Sequence, residues 1–168
     1  MEQYLIMKRT FIILAAAACL GASSLAFAPV QSEKLDAPSL KRLVEGLGYE
    51  VKVLEEEEGK EMYEFKASGG DFDVHMASEI SPSKNYIWLT VYFGEMSKRE
   101  KKADIYKKLL AENAKIQPCQ FYTTSSGALK MAMPIDNRGL QAADLKRCID
   151  AVKRNVESTV ELWSESED

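Results

Sequence analysis

The sequence has little of what most enzyme active sites are built from, because it contains one histidine and three cysteines. By strand alternation His75 shares a face with Asp71 and Asp73, and neighbours on one strand face lie about 7 Å apart. This spacing is too wide for these three side chains alone to chelate a metal ion. A Gly-x-Ser-x-Gly nucleophile elbow is also missing. We therefore predict no catalytic residue, no metal site and no cofactor, and we expect that the chain is not an enzyme.

Glycine-rich phosphate loops and an excess of basic residues are missing as well. Two close glycine pairs occur, Gly46 with Gly48 and Gly69 with Gly70. They lack the spacing of the dinucleotide fingerprint and of the phosphate loop, so we interpret them as turn and cap residues. The net charge is −4, whereas a nucleic-acid-binding domain is expected to carry a basic stripe. The sequence therefore argues against a nucleic-acid partner.

A long apolar run occurs only near the N-terminus. Lys8 and Arg9 precede the uncharged, alanine-rich stretch Phe11–Gly21, and small residues follow it. This order is typical of an export signal, and the small-x-small rule predicts cleavage after Ala26 or after Ala28. The run falls short of the roughly 20 apolar residues that a membrane helix needs, so a retained anchor is the less favoured alternative.

The processed chain is expected in the bacterial periplasm. Cys19 offers an alternative, because a cysteine at the end of an apolar region can be acylated in a bacterial lipoprotein. Removal of residues 1–28 takes away two basic residues and one acidic residue, which changes the net charge from −4 to −5. The length that remains suits one domain. We predict a linker over residues 29–35, a domain over residues 36–163, an acidic tail over residues 164–168, and no membrane span after processing.

Two cysteines, Cys119 and Cys148, remain after processing. An even number of cysteines in an oxidising compartment permits a disulfide, and the elements that carry these two residues are expected to pack together. The alternative is a pair of buried thiols that act as small apolar side chains. If the bond forms, it is structural, because no Cys-x-x-Cys spacing indicates redox catalysis.

Hydrophobic periodicity predicts three helices and six strands. The first helix has a capping residue at Asp36, an apolar face of leucine and valine, and a stop at Gly48. The predicted strands are Tyr49–Val53, Met62–Ala67, Phe72–Met76, Tyr86–Phe93, Cys119–Thr124 and Ala128–Met133. The predicted apolar face of the middle helix consists of Ala103, Tyr106, Leu109, Leu110 and Ala114. The stripe of the last helix consists of Leu145, Ile149, Val152, Val156, Val160 and Trp163.

The predicted order is therefore α-β-β-β-β-α-β-β-α. Short connections between consecutive strands indicate mostly antiparallel pairing, with helices packed on the sheet, so the fold class is α+β. Tyr86–Phe93 is the strongest strand signal and has two substantial faces, one aliphatic and one aromatic. If the helices cover the aliphatic face, the aromatic face with Trp88, Tyr92 and Tyr122 is available to a partner. The alternative is that the middle helix covers it.

Several of these segments resemble the YbjN family, whose domain is similar to type III secretion chaperones. The matching segments are Leu43–Val51, Tyr86–Phe93, Leu109–Asn113, Cys119–Tyr122 and Gly127–Pro134. The resemblance implies a binding or chaperone-like module that is often dimeric and has no catalytic site. The export signal departs from it, because secretion chaperones work in the cytoplasm.

Two functions follow from these observations. The first is an exported binding module, chaperone-like or sensory and regulatory, that engages a protein partner or a second copy of itself through a sheet face. The alternative is a carrier or sensor of a small ligand, with a cavity between the sheet and the helices. The sequence does not identify the partner or the ligand.

Overall fold

The computed structural model describes residues 33–96 and 102–164. They form a six-stranded sheet with the strand order β1-β2-β3-β4-β6-β5, in which every neighbouring pair is antiparallel. The elements are α1 (Ala37–Gly46), β1 (Val51–Glu55), β2 (Met62–Ala67), β3 (Val74–Ile80), β4 (Tyr86–Glu95), α2 (Lys102–Glu112), β5 (Gln120–Thr123), β6 (Ala128–Asp136), α3 (Ala142–Ser158) and α4 (Val160–Trp163). The α+β class and the predicted order are confirmed, with the last predicted helix divided into α3 and α4.

Helix α1 begins and ends where the sequence predicts. The side chain of Asp36 accepts a hydrogen bond of 2.8 Å from the backbone N–H of Ser39, which satisfies one of the free donors of the first turn. Leu40 and Val44 lie on one face and are fully buried. Gly48 follows with a φ of +88°, a left-handed conformation that glycine adopts without strain.

One face of the sheet forms the core. Residues directly opposite each other on paired strands share a face, and on this one Phe65 pairs with Met76, Leu89 with Met133, and Phe121 with Met131. All six side chains are buried. Helix α3 packs over this face through the predicted stripe, of which Leu145, Ile149, Val152 and Val156 are buried.

The predicted apolar face of the middle helix is correct at Leu109 and wrong at its other four residues. Helix α2 buries Ile105 and Leu109, whereas Leu110 is 69% exposed, Tyr106 is 36% exposed, and Ala103 and Ala114 are exposed as well. Spacings of three and four residues fit two stripes on this helix, and the sheet selects the one that carries Ile105. The residues Ser97–Glu100 before this helix match the capping-box pattern in the sequence, and they lie outside the described residues.

The division between α3 and α4 has a local cause at Thr159. Its buried hydroxyl donates a hydrogen bond of 2.6 Å to the carbonyl of Asn155 and so competes with the helical pattern. Four residues later, the indole Nε1 of Trp163 donates to the carbonyl of Val156 at 2.9 Å. The indole also stacks on Phe93 at a centroid distance of 4.9 Å. These contacts turn α4 onto the core.

The segment before α1 is held by a buried side chain. Asn137 is fully buried, and its amide oxygen accepts from the N–H of Leu35 at 3.1 Å. Its amide nitrogen donates to the carbonyl of Leu35 at 2.9 Å and to that of Lys84 at 3.1 Å. Residue 35, at the end of the predicted linker, is therefore hydrogen-bonded to the sheet.

Candidate partner-binding face

The sheet face opposite the core carries no helix in the parts of the chain that the structure describes. All the described helices contribute to the layer on the core side, including α2, whose Ile105 and Leu109 pack in the same cluster as Phe121. We call the other side the open face. It presents Met62, Glu64, Lys66, His75, Ala77, Glu79, Tyr86, Trp88, Thr90, Tyr92, Gln120, Tyr122, Lys130, Ala132, Pro134 and Asp136. The alternative that the middle helix covers the aromatic side chains is wrong for these residues.

The structure brings the three predicted partner-binding residues onto this one face. Tyr92 on β4 and Tyr122 on β5 are both directly opposite Lys130 of the strand between them, so the three side chains form one row. Tyr92 is 58% exposed and Tyr122 is 39% exposed, whereas Trp88 is half-buried. Along β4, Trp88 lies four residues from Tyr92, which separates their Cα atoms by about 14 Å.

A row of small side chains runs across the strands between these aromatic residues. Ala132, Thr90 and Ala77 are directly opposite one another on β6, β4 and β3. Tyr122 extends toward this row, because its hydroxyl is close enough to Thr90 for this threonine to lower the pKa of Tyr122. The larger effect is burial, which raises that pKa. Ala132 is only 2% exposed.

The sequence alone does not show which residues of other strands lie beside the predicted aromatic residues. Pro134 on β6 and Glu79 on β3 are directly opposite Trp88 on either side. Lys130 is directly opposite the two tyrosines of the predicted site. No periodicity within one strand reveals its neighbours, so the register was needed to find these residues.

The half of the open face near β1 is polar, and its acidic side chains lie close to basic side chains of the same region. Glu64 Oε2 lies 3.9 Å from Lys52 Nζ, and Glu64 Oε1 lies 3.9 Å from His75 Nδ1. Lys66 Nζ lies 3.0 Å from Asp73 Oδ2, and this lysine lowers the pKa of Asp73. Asp73 lies just before β3 and is paired with Lys66. The described residues include no group of three or more histidine, cysteine or carboxylate side chains that could hold a metal ion.

The two edges of the sheet are both modified. At the β5 edge, Asn113 donates from its amide nitrogen to the carbonyl of Phe121 at 3.1 Å and accepts from the N–H of Phe121 at 2.7 Å. At the β1 edge, the register shifts between Val53 and Glu55, so Leu54 forms a bulge. Bulges and occupied backbone groups hinder the addition of another strand. The open face is therefore a better partner surface than either edge.

Both predicted disulfide residues lie on the core side of the molecule. Cys119, just before β5, is fully buried and lies near Asn155 of α3, whose side-chain amide donates to the carbonyl of Ile116 at 3.1 Å. Cys148, also on α3, is half-buried. Burial raises the pKa of both thiols, and both are free in this structure. The disulfide stays a prediction.

Two cavities lie at the rim of the sheet near β1. One of about 490 Å³ is lined by the chain that enters β1 and by Glu64, Lys66 and His75. The other, of about 640 Å³, lies between the start of α1, the β1–β2 turn and the β3–β4 turn. Both volumes are within the usual range of about 300–1,000 Å³ for ligand sites. The second opens among Lys34, Lys84 and Glu58 and thus has polar rims of both signs.

No family model matches this chain, and no curated protein is significantly similar to it in sequence. The membership of the YbjN family is therefore not supported by a match and stays a prediction. Among solved structures, the fold is similar to a chain of the heterodimeric complex ExoU–SpcU from the type III secretion system of Pseudomonas aeruginosa. The TM-score is 0.42 and the identity 15%, over 69% of this chain and 84% of that chain. A likeness of this degree concerns the fold alone.

Proposed function

We propose that this chain is an exported, non-catalytic binding module that holds a protein partner on the open face of its sheet. The role is chaperone-like, or sensory and regulatory, as the YbjN resemblance implies. One observation carries the proposal: the described helices lie on one side of the sheet and leave Tyr86, Trp88, Tyr92 and Tyr122 on the other. Exposed aromatic patches of this kind mark interaction surfaces more often than inert ones.

The partner is expected to lie across the face. The Asn113 contact occupies the outward backbone groups of Phe121, and the Leu54 bulge interrupts the other edge. Side-chain contacts over the aromatic rows, and not backbone pairing, therefore supply the binding free energy. Buried aromatic residues are the commonest anchors of such interfaces.

A capture experiment with matched variants tests this proposal. The full chain, tagged at its C-terminus, is used to recover partners from an envelope extract, and Trp88→Ala is compared with Tyr106→Ala. Tyr106 is an exposed tyrosine on α2, on the helix side of the sheet. We expect Trp88→Ala to lose the partner with its circular dichroism unchanged, and Tyr106→Ala to keep it. Equal capture by both variants would exclude the open face as the binding surface.

Export is tested separately from binding. The described helices include none with the length and apolar character needed to span a bilayer. We propose cleavage after Ala26 or Ala28, with acylation of Cys19 as the alternative. Cell fractionation followed by N-terminal sequencing distinguishes a free N-terminus at residue 27 or 29 from a lipid-modified one at residue 19. An uncleaved chain in the cytoplasm would contradict export.

A small-ligand carrier is the second candidate, and the 640 Å³ cavity favours it. This cavity lies at the rim of the sheet near α1, whereas the sequence interpretation expected one between the sheet and the helices. Native mass spectrometry of the purified chain tests this function, because a carrier retains a bound species of defined mass. The same spectra report whether a homodimer forms, which we keep as a prediction.

A further inference from the structure

Glu79 lies beside the central indole of the open face. It is directly opposite Trp88 in the register of β3 and β4. The Cβ atoms of such pairs are about 4.5–5.5 Å apart, so the two side chains are neighbours on this face. Both side chains are half-buried. This carboxylate is thus within the apolar part of the face and not at its polar end.

Tyr122 lies on the same face and extends toward these residues from the β5 edge of the sheet. Its hydroxyl is close enough to Thr90 for this threonine to lower the pKa of Tyr122, and Thr90 lies two residues from Trp88 on the same face of β4. The charge of Glu79 is close enough to raise the pKa of Tyr122, in addition to the larger effect of burial. Glu79 is therefore directly opposite the indole residue on one strand and close to the phenol of Tyr122 on the same face.

Glu79 is set apart from the other acidic residues of the open face by its lack of a cation. Glu64 has Lys52, and Asp136 has Arg138. In the described ranges no basic side chain forms an ion pair with Glu79. A half-buried carboxylate without an ion-pair partner is available to an incoming cation, and partial burial strengthens their attraction relative to a fully exposed pair.

We propose that Glu79, Trp88 and Tyr122 form a receptor for one arginine side chain of the partner protein. This inference rests on the proposed function and names the chemistry by which the open face selects its partner. A guanidinium is planar, stacks on an indole and donates to a carboxylate at the same time, which a lysine ammonium does less well. The net charge of −4 also favours a partner that brings positive charge.

Short peptides that differ in one charge test the receptor. The full chain, labelled with ¹⁵N, is titrated with acetyl-Leu-Arg-Leu-amide and with the same peptide carrying citrulline, which is nearly isosteric and neutral. We expect the arginine peptide to shift the indole N–H signal of Trp88 and to bind about tenfold more tightly than the citrulline peptide. Equal affinities would overturn the proposal, because charge would then play no part.

Two carboxylate variants locate the effect. Glu79→Gln should lower the affinity for the arginine peptide about tenfold and abolish its advantage over citrulline. Glu64→Gln removes a carboxylate from the same face that already has partners, and it should leave both affinities unchanged. An equal loss of affinity in the two variants would contradict a specific receptor. Peptide-induced NMR shifts confined to the four consecutive glutamates Glu55–Glu58, at the end of β1 and just after it, would contradict it as well.

Failure of this inference can be told apart from failure of the proposed function. If Trp88→Ala abolishes capture of the protein partner while Glu79→Gln does not change it, the open face binds the partner and arginine recognition is wrong. If neither variant alters capture, the face itself is not the binding surface. A free arginine amide that binds as tightly as the peptide would indicate a small-molecule site and would also overturn the proposal.

Discussion

The amide side chain of Asn113 forms two hydrogen bonds with the backbone of Phe121, one to its N–H at 2.7 Å and one to its carbonyl at 3.1 Å. It thus gives the edge strand β5 the contacts that a neighbouring strand would give. Asn113 comes directly after α2, so one residue both follows a helix and closes a sheet edge. This pairing leaves less unpaired backbone for another strand to join.

We expect Asn113→Ala to destabilise the fold. The substitution leaves a partly buried N–H and carbonyl of Phe121 without their partners, at a cost of about 1–3 kcal/mol in the free energy of unfolding. Urea denaturation followed by circular dichroism measures this change. The matched control is Gln117→Ala, because Gln117 is exposed and its side-chain amide donates to the backbone carbonyl of Asn113 without touching Phe121 in the part of the chain that the structure describes.

A second consequence concerns the β5 edge itself. If Asn113 closes it, Asn113→Ala should also increase self-association, measured by light scattering at equal fractions of folded protein. Asn113→Asp keeps the acceptor for the N–H of Phe121 and loses the donor to its carbonyl. The self-association of this variant should therefore lie between that of wild type and that of Asn113→Ala. Wild-type stability in Asn113→Ala would show that water replaces the amide at no cost.

Most of the fold could be predicted from the sequence because its strongest signals are local. Alternation in Tyr86–Phe93, the cap at Asp36 and the stop at Gly48 each depend on residues close in the chain. The contacts of Asn113 and Asn137 could not be predicted in the same way. Asn113 bonds to backbone eight residues later, and Asn137 bonds to Leu35 across 102 residues. Asparagine alone indicates only a turn or a cap, so neither partner can be found from its type.

The candidate site was predictable only in part for the same reason. Trp88, Tyr92 and Tyr122 follow from alternation within their own strands. Whether they face solvent depended on which side α2 packs, and two stripes of that helix have the required spacing. Glu79 becomes notable only when β3 is aligned with β4, because its position opposite Trp88 is a property of the register.

Glycine is required at position 70 in the turn between β2 and β3. Its φ is +120°, and an added Cβ would lie 2.1 Å from Glu157 Oε1 on α3. We expect Gly70→Ala to lower the free energy of unfolding by about 1–3 kcal/mol through backbone strain. Gly46→Ala is the contrasting control, because nothing lies within 4 Å of its Cβ position and it occupies a helix. That variant should gain about 0.4–1 kcal/mol. Equal effects of the two substitutions would contradict the described turn.

The cap of α1 gives the stability a dependence on pH. Hydrogen bonds from Ser39 lower the pKa of Asp36 from its ordinary value of 3.8. Because the folded-state pKa is the lower one, this contribution is present above about pH 4 and is lost as the pH falls through the folded-state pKa. Asp36→Asn retains a capping oxygen without the charge. The difference in melting temperature between wild type and Asp36→Asn should therefore be larger at pH 6 than at pH 3. A difference that does not change with pH would exclude this charge as its cause.

Two adjacent leucines of α2 test the orientation of that helix. Leu109 is 3% exposed and packs in the core, whereas Leu110 is 69% exposed. We expect Leu109→Ala to cost about 2–5 kcal/mol in the free energy of unfolding, because it removes buried methyl groups and leaves a cavity. Leu110→Ala removes the same atoms and changes the helix propensity equally. Because Leu110 is exposed, the free energy of unfolding of this variant should stay within about 0.5 kcal/mol of wild type. Urea denaturation of the two variants measures this difference directly.

If the two variants lose similar stability, α2 also buries the stripe with Tyr106 and Leu110, and that surface is covered by another part of the chain or by a second copy. Concentration dependence of the Leu110→Ala effect separates these outcomes, because only contact with a second copy weakens on dilution.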